Sequence, residues 1–331
     1  MYICFRTKGS HKQGMGDVTG SLAIADEFKR RRHNITFIVD RDPEAQMAIR
    51  NRGYRFIPVI GKSESRAWGR RHFDIAIVNQ MSNTLDLLKC AKAHCNMLVT
   101  IDDTGTASKK MADLRINPLY YTAGALCDPK YIPLETDFQK AHRNRQVCRK
   151  VKKVLVTMGG SDTYGYTPQI LPVISKNAGG CEIAVIIGPA FKHHKELNSA
   201  LAKAGRKFSV LHAVTHKEMK KWILWADLAI CAGGNTLFEM ACCGTPAVVI
   251  ASEPFEEETA YRLAKTGFGK VVGFNKKLDA AKLRRYMREF AAVRERSRHS
   301  KAGMRLVKGL GTVHIVDSIV KRHRQATNGN K

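Results

Sequence analysis

Two successive series of short apolar runs, each alternating with stretches of helical spacing, constrain this chain more than any other feature. In the first series "YICFR", "NITFIVD", "FDIAIVN" and "NMLVTIDD" are rich in β-branched residues, and intervening segments such as "GSLAIADEFKRR" repeat apolar residues at three- and four-residue intervals. Near-continuous apolar strands joined by amphipathic helices specify a parallel sheet covered on both faces. A basic polar stretch, "QKAHRNRQVCRKVKK", breaks the pattern, which restarts with "KVLVTMGG", "CEIAVIIG", "KFSVLHAV", "LAICAGG" and "PAVVIAS". The expectation is an α/β chain with a linker near 140–152 and doubly wound domains over 1–145 and 152–310, facing each other across a cleft. A length of 331 residues suits two domains of about 150.

Composition excludes several classes. With 44% hydrophobic and 26% charged residues the chain matches neither a disordered nor a membrane-embedded protein. The start, "MYICFRTKGSHKQG", lacks an export leader, and no run approaches the roughly 18 apolar residues of a membrane span. Nine cysteines without CxxC spacing read as reduced thiols of a cytoplasmic protein, Cys242 and Cys243 as small core residues. The unusual quantity is charge, since 56 Lys and Arg against 29 Asp and Glu leave +27. Such an excess reads either as a generally basic surface or as the mark of an anionic partner. The basic residues are spread along the chain without a nucleic-acid motif, so no specific nucleic acid is expected. Phosphate-bearing substrates and peripheral attachment to anionic membrane lipid remain as uses for the charge.

Ligands of doubly wound sheets bind where strands end, so glycine-rich turns after strands are the candidate sites. The first is "KGSHKQGMGDVTG", with Gly14, Gly16 and Asp17 before a helix opening near Val18. Asp17 there is either a helix cap or a general base with a raised pKa. The second, "VLVTMGGSD", places Gly159, Gly160 and Ser161 at a helix entrance that offers amides to a phosphate. The third, "LAICAGGNTLFEMACCGTP", brings Gly233 and Gly234 to a turn, with Asn235 or Thr236 as cap and Glu239 one turn into the helix. These parts suit a nucleoside diphosphate, the helix entrance taking the pyrophosphate and Glu239 the ribose hydroxyls. Asp102 and Asp103 end a first-domain strand and read as loop-ordering acids; His193 and His194 read as a solvated loop.

The ordered motifs "GMGDVTGSLAIADEF", "TIDDTG", "ADLRINPLYY", "VLVTMGGSD" and "ADLAICAGGNTLFEMACCGTPAVVI" resemble the PseG/SpsG group of pseudaminic-acid pathway UDP-sugar hydrolases, a group similar to the MurG-type glycosyltransferases. That resemblance implies the GT-B fold, two Rossmann-like domains with UDP on the second. It implies Glu239 on the ribose, Gly233, Gly234, Asn235 and Thr236 near the pyrophosphate, and the backbone at Val214 facing the uracil. It also implies that the last segment, 311–331, is a helix returning toward the first domain, and that neither metal nor cofactor is used. Two positions depart from the group: Asp17 stands for its histidine, and Phe255 and Glu256 stand for its Asn-Gln pair. Glu256, Glu257 and Glu258 are then candidates for donor-sugar hydroxyls, or a solvated acidic helix start. The expected function is cleavage of the anomeric C–O bond of a UDP-sugar by hydrolysis, with glycosyl transfer to a glycan or lipid-linked acceptor as the alternative. A non-catalytic polyanion-binding protein is the third reading.

Overall fold

The computed structural model describes residues 1–9, 14–61, 64–119, 121–142, 145–177 and 179–328. Residues 10–13 of the first glycine loop and 143–144 of the basic stretch lie outside the described residues. The chain divides into two compact units, one of residues 1–135 with 309–331 and the other of residues 136–308.

The first unit holds six parallel strands, β1 (Tyr2–Thr7), β2 (Asn34–Asp40), β3 (Arg55–Val59), β4 (Phe73–Asn79), β5 (Cys95–Ile101) and β6 (Leu114–Ile116), in the order β3-β2-β1-β4-β5-β6. Its sheet is continuous because the central strands are apolar on both faces: Phe5 stacks on Phe37 at 5.2 Å between ring centroids and meets Phe28 of the helix Gly16–Arg30 edge-on. Ile315, Val316 and Ile319 of the helix Gly311–Asn328 complete this core.

The second unit repeats the topology with β7 (Lys153–Thr157), β8 (Glu182–Ile187), β9 (Ser209–His212), β10 (Leu228–Cys231), β11 (Ala247–Ile250) and β12 (Lys270–Gly273), in the order β12-β11-β10-β7-β8-β9. Val154, Val156, Ile230, Val248 and Ile250 pack there against Leu171, Ile174 and Phe290 from flanking helices. In each sheet the strand order reverses beside the first strand, between β1 and β4 and between β7 and β10. That reversal opens a crevice at the carboxyl ends of the strands, which is where loops in this architecture meet a ligand.

Nine of the twelve strands coincide with the apolar runs of the sequence. The other three, β3, β6 and β12, are all edge strands. An edge strand is paired on one side only, so three or four residues, or a run interrupted by Pro58, suffice and leave little apolar pattern.

Candidate active site

Two glycine turns frame the crevice of the second unit. After β7 the chain turns through Gly159, at φ 75°, and Gly160, which lie so close to Gly188 that a Cβ on Gly188 would stand 2.3 Å from the carbonyl oxygens of both. Ser161 follows, its hydroxyl 3.2 Å from that of Thr163, which in turn donates to Glu253 Oε1 at 3.0 Å. The helix Tyr166–Asn177 beyond this turn does not offer its first amides to a ligand. Asp162 accepts from the N–H groups of Tyr166 and Thr167 at 2.7 and 2.8 Å, so the protein's own carboxylate fills the anion position at the helix entrance. Asp162 is buried and its backbone is left-handed at φ 45°; burial raises its pKa and the hydrogen bonds oppose the rise.

The turn after β10 differs. Gly234 is itself the residue ahead of the helix Asn235–Cys243, with no side-chain cap, so Asn235 and Thr236 are the first helical residues rather than caps. Without a capping side chain the helix entrance keeps donors for an external anion. Glu239 lies on the next turn, 7% exposed. Its charge adds to the burial that pushes the Cys242 thiol up to about 12.

The acids after β11 do not form a wholly solvated helix start. Glu256 turns back onto the glycine turn, its Oε2 accepting from Gly233 N–H at 3.2 Å and Ser252 N–H at 2.7 Å. Glu257 Oε1 accepts from Phe274 N–H at 2.9 Å and ties its helix to the end of β12, while Glu258 is exposed. Val214 lies between β9 and the helix His216–Trp225, half-buried, just after Ala213 at φ 48°. His193, expected as plain solvated loop, contacts the Thr163 carbonyl at 3.3 Å with its ring against Gly165, and the His194 and His212 rings stack 6.2 Å apart.

In the first unit Gly14, at φ 88°, leads into the helix Gly16–Arg30, whose cap position is Met15. Asp17 therefore sits inside the first turn and is not the cap. Burial pushes its carboxyl up to about 7, opposed by Lys8. Asn79 at the end of β4 fixes this turn, its Nδ2 donating to the Asp17 carbonyl and to Ser21 Oγ, both at 3.0 Å. Asn79 was not legible as a site residue; its signal is a polar residue closing an apolar strand. Asp102 follows β5 with a left-handed φ of 51°, a conformation that costs a non-glycine residue about 1 kcal/mol or more. It is buried, Oδ1 accepts from Leu119 N–H at 3.0 Å, and burial, with the charge of Asp17 adding, pushes it up to about 8. Asp103 orders the following loop as expected, accepting from Asn83 Nδ2 at 2.6 Å and Gly105 N–H at 2.8 Å. Among the described residues no group of three His, Cys, Asp or Glu side chains is placed to hold a metal ion, and no helix is long and apolar enough to cross a membrane.

Two parallel sheets of this order, each reversing beside its first strand, with an uncapped glycine turn in the second, define a GT-B protein. Residues 154–308, nearly all of the second unit, match the glycosyltransferase family 28 C-terminal domain. The chain is homologous to SpsG, a spore coat polysaccharide biosynthesis protein of Bacillus subtilis, at 23% identity over 95% of this chain and 96% of that protein. An uncharacterized protein of Methanocaldococcus jannaschii is 25% identical over 78% of this chain, which spans 57% of that protein's length. Among solved structures, Acinetobacter baumannii MurG superposes with a TM-score of 0.70 at 13% identity, covering 97% of this chain and 99% of that one. Anabaena HepE, solved with UDP-glucose, gives a TM-score of 0.63 at 13% identity, covering 97% and 100%.

Proposed function

We propose that this chain binds a UDP-sugar on its second unit and breaks the anomeric C–O bond, moving the sugar to an acceptor hydroxyl in polysaccharide biosynthesis. The observation that carries the reading is the uncapped Gly233–Gly234 turn at the β7/β10 strand reversal, opening onto a helix with a buried acid, Glu239, on its second turn. The helix entrance binds the diphosphate through amides and dipole, and Glu239 accepts from the ribose hydroxyls. Gly159, Gly160 and Ser161 border the same crevice, and the Val214 backbone contacts the base. The SpsG homology and the UDP-glucose complex of HepE support this class of donor.

Asp17 supplies the base. The acceptor oxygen attacks the anomeric carbon, the bond to the β-phosphate oxygen breaks with its electron pair leaving on UDP, and Asp17 takes the hydroxyl proton. A carboxyl pushed up to about 7 is well matched to that proton transfer at neutral pH. Water as the acceptor is the second reading, favoured by the motif set shared with the UDP-sugar hydrolases. Incubation with a panel of UDP-sugars, with and without polyprenyl-phosphate-linked glycan, followed by mass spectrometry of the sugar product, separates the two. UDP release without added acceptor identifies hydrolysis, release that requires the glycan identifies transfer, and no release from any donor removes the enzyme assignment.

A further inference from the structure

The turn assigned above to a diphosphate already has a carboxylate against it. A Cβ on Gly233 would lie 2.8 Å from both the Cβ and the carbonyl oxygen of Glu256, and one on Gly234 would lie 3.1 Å from Glu256 Oε1. At Gly233 only a glycine admits this approach. Oε2 is occupied by the N–H groups of Gly233 and Ser252, whereas Oε1 faces Gly234 at the mouth of the helix Asn235–Cys243. Glu253, at the head of its own helix, and the Cys231 thiol at the end of β10 are titratable groups that interact with Glu256. Neither is a cation, and among the described residues no Lys or Arg pairs with Glu256, in a chain with 56 of them. An ionised carboxylate here repels a phosphate, and among the described residues no cationic side chain is paired with it to offset that repulsion.

We propose that Glu256 makes anion binding at the Gly233–Gly234 turn proton-coupled: a nucleoside diphosphate is accepted together with a proton taken up from solvent by the Glu256 carboxyl. This rests on the nucleotide reading of the site and adds the charge state in which the site works. Oε2 keeps its two amide bonds, and Oε1 gains an O–H that donates to a phosphate oxygen instead of repelling it. Burial already raises the proton affinity of this group, Glu253 adds to the rise, and the amide bonds oppose it. Glu256 thereby discriminates between anions by charge: each further negative charge on the ligand is opposed unless the carboxyl is protonated.

The test is calorimetric titration of the full chain with UDP between about pH 6 and about pH 8, in two buffers of different ionisation enthalpy, beside Glu256→Gln. Glutamine keeps an oxygen for Gly233 and Ser252 and carries no charge. The parent should take up close to one more proton on binding than the variant, a difference that cancels the titration of UDP itself. The variant should bind at least about tenfold more tightly at about pH 8, converging with the parent at lower pH. Equal proton uptake by both proteins, or weaker binding by a variant with unchanged thermal unfolding, overturns the coupling and leaves the nucleotide site standing. Failure of both proteins to bind UDP at any pH overturns the site and the coupling together.

Discussion

The two units share one strand order and use it in opposite ways. In the second, two acids near the strand ends are each held by two backbone amides: Asp162 by Tyr166 and Thr167, Glu256 by Gly233 and Ser252. In the first, Asp102 accepts a single amide, and among the described residues Lys8 alone opposes the rise of Asp17. The consequence is chemical. Two N–H bonds stabilise the ionised form of a carboxylate until the charge of a bound anion opposes it, whereas burial without such bonds leaves a carboxyl that exchanges its proton near neutral pH in the free protein. One topology thus provides an amide-lined turn for an anion and, separately, acids suited to moving protons.

The largest expected effect breaks the first side of this contrast. Asp17→Asn should lower UDP release by about a hundredfold or more, because an amide cannot take the acceptor proton. In the parent, turnover should rise with pH through about 7 as Asp17 ionises. Stability should not suffer. Raised in the folded state, the Asp17 carboxyl binds more protons there than in the unfolded chain, so its ionisation weakens folding as pH climbs from the unfolded value toward about 7. The amide variant escapes that loss and should be equal to the parent near pH 4 and no less stable near pH 8. Parent-like turnover by Asp17→Asn would move the search for the base to Asp102.

On the other side, Glu239→Ala should weaken UDP binding by about 1.5–3 kcal/mol, the range for hydrogen bonds to a charged group, measured by calorimetry. Unchanged affinity would take Glu239 out of the ribose role. Smaller again is the loss from Asp162→Ala, which frees the two amides at the entrance of the helix Tyr166–Asn177. Urea unfolding should show a loss of about 0.5–2 kcal/mol, while Asp162→Asn, still able to cap, stays within a few tenths. If alanine instead strengthened phosphate binding at this turn, Asp162 would be a competitor for the ligand rather than a cap.

The sheets were legible because strands buried on both faces must be apolar at their centres, as "IAIV" within "FDIAIVN" and "LAIC" are. The positions of the glycine turns followed from the same alternation. What the sequence could not convey was which anion each helix entrance receives. "GGSD" and "AGGN" look alike as glycine turns, yet one helix is capped by Asp162, next in sequence, and the other turn is met by Glu256, 23 residues on. Contacts at that separation depend on how β11 and its following loop return to the sheet, which no local pattern encodes. The cap position lies two residues before Asp17, since the start of this helix is set by the backbone dihedrals at Gly14 and Met15 rather than by the acid itself.

The smallest effect tests how isolated Asp17 is. Lys8, exposed at the end of β1, lowers the pKa of Asp17 against the rise imposed by burial. Removing it by Lys8→Met should therefore shift the acid limb of the pH–rate profile upward, so that less Asp17 is ionised at a given pH and turnover at about pH 6 falls while the plateau at high pH is kept. An exposed cation acts through water, so the shift should be under about one pH unit and should shrink as salt rises past the roughly 8 Å screening length of physiological solution. A shift of that size, fading with salt, places Lys8 as a weak external influence on an acid governed by burial. A plateau that also collapses would instead make Lys8 a direct contact of the substrate, and the first unit would then hold an anion site of its own.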